Sequence, residues 1–184
     1  MAIEKFIRTM GFIALIGGII RIGMTPSSLI WGGDSDPELL CAFIANIFYT
    51  VGTFGIFLAL IDKIGKFGYF TFLVVTLSHI LVTCTVWSTM LGTSPWEWGI
   101  IKSLEIGSGL LGMILFPIVI LRAKVFPAWP SIILLIMLPV GFVPFMGSWV
   151  ATLWGVGYAA LGFFTWKGKT ASKTIAKSDV KFSS

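Results

Sequence analysis

Charge is scarce in this chain. Asp and Glu number 8, Lys and Arg 13, and charged residues make up 11% of its 184 positions. A soluble domain carries about a quarter, so an ordinary water-soluble protein is excluded. Histidine occurs once and cysteine twice. One imidazole rules out bis-histidine haem ligation within the chain. Cys41 and Cys84 fall on different predicted helices, with no CxxC and no neighbouring His, so neither a disulfide nor a metal site is signalled. No cofactor is expected. Gly-rich phosphate loops of the P-loop or dinucleotide kind are missing, and the basic residues flank apolar runs instead of forming a nucleic-acid face, so nucleic acid is not an expected partner.

Apolar residues are plentiful. Hydrophobic side chains account for 57% of the sequence, and the mean hydropathy is +0.97. A helix crosses a bilayer with about 20 apolar residues, so the chain has room for roughly six crossings and no separate soluble domain. Runs bounded by charge, Gly and Pro predict spans over residues 6–24, 39–61, 67–91, 98–121, 131–146 and 149–166. The expected fold class is all-α, an integral membrane bundle filling residues 1–166, with 167–184 as a basic, disordered cytoplasmic tail. Pro139 and Pro144 predict a kinked or unwound outer end for the fifth span.

The basic residues orient these spans. With the N-terminus in the cytoplasm, Lys5, Arg8, Lys63, Lys66, Arg122, Lys124, Lys167, Lys169, Lys173, Lys177 and Lys181 all fall inside, and only Arg21 and Lys102 fall outside. That asymmetry predicts a multi-pass protein of the cell (inner) membrane with both termini cytoplasmic. The first apolar run is longer than a signal-peptide core, and Arg21 interrupts the expected cleavage site, so the run is read as a retained helix. Trp31, Trp87, Trp96, Trp98 and Trp149 mark the outer interface, and Trp129 and Trp166 the inner one. Trp154 is the exception, several residues inside the sixth span.

Close helix approach in lipid depends on small residues. Gly147, Ala151, Gly155 and Ala159 share one face of the sixth span, and Ala14 and Gly18 one face of the first. These faces either close the bundle on itself or dock a membrane protein partner or a second copy.

Polar groups within the spans are expensive and are therefore candidate site residues. Asn46 and Glu105 lie roughly 10 Å below the outer ends of their helices, Arg21 about 5 Å, and His79 near the midplane. Thr76, His79, Thr83 and Trp87 follow one helical stripe, Asn46, Thr50 and Thr53 another, and Lys102 and Glu105 are one turn apart. Together they predict an outward-facing ligand pocket. His79 forms its floor, Asn46, Thr83 and Glu105 its walls, and Arg21, Trp87, Trp96 and Trp98 its mouth. Glu105 can alternatively serve as the structural partner of Arg21 or Lys102.

The Gly107-Ser108-Gly109 stretch loosely resembles the Gly-x-Ser-Gly of intramembrane rhomboid proteases. Ile106 stands at the first Gly, and His79 precedes the Ser. The resemblance implies a hydrolase using Ser108 and His79, with Asn46 as oxyanion donor. The segment Leu121-Arg122-Ala123-Lys124-Val125-Phe126-Pro127-Ala128-Trp129 resembles the Arg-Ala-Arg/Lys-x-x-Pro-x-Trp cytoplasmic loop of small multipass bacterial membrane proteins of unknown function. In architecture the chain is similar to the substrate-binding subunits of energy-coupling-factor vitamin transporters. That likeness implies docking of a transmembrane partner through Ala14 and Gly18.

The leading expectation is a non-enzymatic bilayer protein that binds a small molecule or lipid, as a transporter or its binding subunit. An accessory or scaffold subunit of a larger membrane complex and the Ser108 and His79 hydrolase are the alternatives.

Overall fold

The structure is a computed structural model that describes residues 2–93 and 99–169. The described residues form helices and their connections, without strands. In chain order the helices are α1 (Ala2–Ile22), α2 (Met24–Trp31), α3 (Asp36–Met90), α4 (Gly99–Ala123), α5 (Trp129–Val140) and α6 (Trp149–Trp166). Three stretches, Ala2–Trp31, Asp36–Met90 and Gly99–Ala123, are long and apolar enough to cross a membrane. The protein is therefore an all-helical chain whose apolar helices suit association with a membrane. Predicted positions 94–98 and 170–184, which include Trp96, Trp98 and the lysines of the tail beyond Lys169, lie outside the described residues.

At 55 residues, α3 would measure about 80 Å if straight, far more than a bilayer's hydrocarbon thickness. It is not straight. Gly65 adopts φ 55° and ψ −164°, a region that essentially only glycine occupies, and the chain doubles back there. Aromatic pairs record the reversal. Phe43 meets Trp87, Tyr49 meets His79, Phe54 meets Phe72, and Phe57 meets Tyr69, so the partners approach Gly65 in step from both sides. The predicted break at residues 62–66 thus takes the form of a glycine hinge between two antiparallel arms, residues 36–64 and 66–90. A Cβ at Gly65 would meet no other atom, so substitution there tests backbone conformation alone. Gly65→Val is expected to lower stability by about 1–3 kcal/mol, measured as a fall in thermal midpoint in detergent without loss of helical content.

The rods then close a ring. Helix α1 packs most extensively on α6 and on α3, the second arm on α4, α4 on α5, and α5 on α6. Neighbours run antiparallel throughout. Met10 and Ala14 face Gly55 and Gly52, Val75 and Ser78 face Gly112 and Gly109, and Leu134 and Val150 link α5 to α6 at Gly157 and Gly141. Alternation brings the start of α1 and the end of α6 to the same end of the bundle, where Arg8 lies against Gly168.

Polarity is distributed in reverse of a soluble fold. Leu73, Leu77 and Ile80 on the second arm and Ile100, Leu104 and Leu111 on α4 face outward, while Arg21, Asn46, Thr53, His79 and Thr165 are buried. Water would penalise such a surface, whereas lipid tails do not.

Two local expectations need correcting. The fifth helix ends at Val140 and not at residue 146. Pro139 supplies no amide hydrogen and Pro144 follows before another turn can form, so residues 141–148 run as successive turns with Phe145 at φ 67°. The first span does not pass directly into a loop. The chain bends after α1 into the short helix α2, pinned to the start of α6 where Thr25 Oγ1 donates to the Ser148 carbonyl at 2.6 Å and Thr152 Oγ1 donates to Thr25 Oγ1 at 2.7 Å.

Candidate functional site

Small residues set how closely the elements around the site approach. A Cβ added at Gly155 would fall 2.6 Å from the Gly18 carbonyl oxygen, and one at Gly18 would collide with the Ala159 amide nitrogen. Ala14 packs on Gly52. The predicted small faces of α1 and α6 therefore meet inside the bundle at Gly18, Gly155 and Ala159, while Ala14 serves the contact of α1 with α3. Ala151 is half-buried, and Gly147 sits in the turn before α6 with open space around it.

Close packing of α1, α3 and α6 buries one polar aromatic cluster. Tyr49 of the first arm stacks on Tyr158 of α6 with ring centroids 4.1 Å apart. His79 of the second arm lies 5.5 Å from both rings. Its Nε2 is 3.2 Å from the Tyr158 hydroxyl, which also lies 3.5 Å from Thr53 Oγ1. Trp154, one turn before Tyr158, completes the stack 5.9 Å from Tyr49. The Arg21 guanidinium caps it with Cζ 4.4 Å from the Trp154 ring centre, within cation–π range. From the opposite wall, Phe116 of α4 stacks on Tyr158 at 5.6 Å.

Among the described residues, several polar atoms in this cluster lack a hydrogen-bond partner. They are Arg21 Nε and Nη1, both amide atoms of Asn46, the Tyr49 hydroxyl and His79 Nδ1. Such groups are rare in native interiors and costly when left unsatisfied. A cavity of about 30 Å³ adjoins His79, Trp154 and Tyr158, enough for one or two waters.

Above the cluster, a cleft of about 610 Å³ opens between the two ends of α3 and the start of α4, lined by Asp34, Leu39, Val82, Thr89, Lys102 and Glu105 among others. Val82 lies one turn above His79, and Leu39 two turns above Asn46. Lys102 Nζ meets Glu105 Oε2 at 2.9 Å, with both side chains largely buried.

The predicted set is thus divided between two places. Arg21, Asn46 and His79 fall in the central cluster, and Glu105 lies in the cleft paired with Lys102. Thr83 is half-buried, and its hydroxyl proton goes to the His79 carbonyl at 2.7 Å, the usual local bond of a helical threonine. Trp87 faces outward against Phe43. Trp98 lies outside the described residues. Ser108 Oγ donates to the Glu105 carbonyl at 3.2 Å, and His79 Nε2 is engaged by Tyr158, so the hydroxyl and imidazole of the predicted dyad do not meet.

The sequence reading left Tyr49 and Tyr158 unmarked, and set Trp154 apart only as an aromatic residue away from the interfaces. A signal was present, since two of the three tyrosines and one Trp sit in mid-span, away from the interfaces where amphipathic aromatics usually lie. No protein family, curated protein or solved structure matches this chain.

Proposed function

We propose that the chain crosses the membrane six times, through α1, the two arms of α3, α4, α5 and α6, with both ends cytoplasmic. In this reading it binds a small molecule or lipid from the outer face, as a transporter or the binding subunit of one. Positive residues support the orientation, because Lys63, Lys66, Arg122, Lys124 and Lys167 gather at the bundle end that carries Arg8 and Gly168. The observation that carries the functional reading is the cleft between α3 and α4, one turn above a buried and incompletely satisfied polar cluster. Its size falls within the range of small-molecule sites. Asp34, Lys102 and Glu105 at the cleft give a ligand polar contacts before it meets the aromatic interior.

Native mass spectrometry of the protein released gently from its own membrane tests this reading. The expected spectrum carries a small reproducible added mass on the 20.1 kDa chain, reduced at least tenfold in occupancy in Val82→Trp, which fills the cleft, and also in Glu105→Gln. A bare chain in wild type, or an adduct indifferent to both substitutions, would contradict it.

A further inference from the structure

We infer that Arg21 is the seat of a monoanion, bound with the help of Asn46 and Tyr49. This deepens the proposed ligand site and rests on that reading for the route of access. Arg21 is 7% exposed, and a guanidinium does not shed its charge to escape burial. Among the described residues no carboxylate pairs with it. The ion pairs are Arg8 with Glu4 and Lys102 with Glu105; Glu38 acts on Arg21 only through space, and its Oε2 accepts from the Asp34 amide at 2.7 Å. The Trp154 face meets the cation but supplies no hydrogen-bond acceptor for Nε or Nη1. Removing a charge from water without a partner is among the costliest arrangements a protein makes.

The neighbouring unpartnered groups are of the kind an anion requires. Gly17, one turn before Arg21, lies against Tyr49 and the Ala45 carbonyl, which puts Arg21 about one turn beyond Tyr49, at the level of Asn46 on α3. The Asn46 amide and the Tyr49 hydroxyl are fully buried donors without acceptors. One cation and neutral donors match one negative charge, and a dianion would overcompensate. A small free carboxylate and the phosphodiester of an anionic lipid headgroup share this chemistry.

The test is thermal unfolding of the full chain in dodecyl maltoside micelles, which carry no phosphate, titrated with sodium formate at constant ionic strength against bulky gluconate. A second arm adds phosphatidylglycerol to the micelles and omits formate. The expected wild-type response is a rise of about 5 °C near saturation in one arm, the arm identifying whether the anion is free or lipid-borne. Arg21→Gln should lose that response and, in anion-poor buffer, melt at or above wild type, because it removes a buried charge that has no direct ionic partner. Arg21→Lys keeps the charge without the planar fork and should retain the response at roughly tenfold weaker affinity. Val82→Trp separates the two claims. A formate response that survives it keeps the anion site and removes the cleft as its route. No rise in either arm, an equal rise in Arg21→Gln, or Arg21→Gln melting below wild type under every condition would overturn the inference.

Discussion

Gly155→Leu is expected to prevent the ring from closing. At this position a single Cβ would already lie 2.6 Å from the Gly18 carbonyl oxygen, 2.7 Å from Ile22 Cγ1 and 2.9 Å from the Ile22 amide nitrogen. Two of those three atoms are backbone, so no rotamer change in α1 makes room and the helices must separate. Overpacking where a side chain can yield costs about 1–3 kcal/mol. Here the contact between α1 and α6, the most extensive in the bundle, would be lost, which is enough to remove the marginal stability of most proteins. Gel filtration in mild detergent should show aggregate in place of a single peak. A sharp wild-type-like peak with an unchanged thermal midpoint would mean that α1 and α6 do not meet as described. Gly147→Leu, in the open turn before α6, is the matched control and should behave as wild type. The pair also bears on the scaffold alternative. If the small face of α6 served a partner, Gly155→Leu would release that partner and leave the isolated chain intact.

Tyr158→Ala is expected to cost about 3–5 kcal/mol, the range for truncating a large buried ring. Tyr158 joins three walls of the bundle, stacking on Tyr49 and Phe116 and placing its hydroxyl beside His79 and Thr53. Its loss opens a void and leaves both His79 nitrogens without a partner, since Nδ1 already has none. Tyr158→Phe retains the ring and removes only the hydroxyl, so its cost should be about 1–3 kcal/mol. A double-mutant cycle with His79→Phe isolates the polar link, and a coupling energy of about 1 kcal/mol is expected. Equal midpoints for Tyr158→Phe and Tyr158→Ala would show that the stack contributes little and that the cluster is not the centre of the bundle.

Helical class and polar interior were legible in the sequence because lipid imposes period and composition together. Small residues at positions 14, 18, 155 and 159 and polar groups at 21, 46 and 79 stand out against uniformly apolar runs, and the structure draws each set inward. Which stripes face each other was not legible. Glu105 offered itself equally to Arg21 and Lys102 by charge, and three-residue spacing on α4 decided for Lys102. Thr83 shares a stripe with His79, yet its hydroxyl is used by its own helix. Trp87 also shares that stripe, but helical rotation over two turns carries it to the outer surface. Tyr49 and Tyr158 escaped notice because aromatic residues in an apolar run look like filler until their hydroxyls are seen to be buried. The turn at Gly65 was marked by charge on both sides, whereas its form, a hinge in a conformation that glycine alone adopts readily, depends on backbone angles that composition does not reveal.

Cysteine labelling from the two sides of the membrane tests most directly whether the polar interior opens outward through a six-crossing ring. In a background with Cys41 and Cys84 replaced by Ser, Thr89→Cys places a thiol in the cleft between α3 and α4, and Lys63→Cys places one beside the Gly65 hinge at the opposite end. A membrane-impermeant maleimide added to intact spheroplasts should modify Thr89→Cys and leave Lys63→Cys unlabelled until the membrane is permeabilised. Labelling of Lys63→Cys from outside, or protection of Thr89→Cys until permeabilisation, would contradict the account.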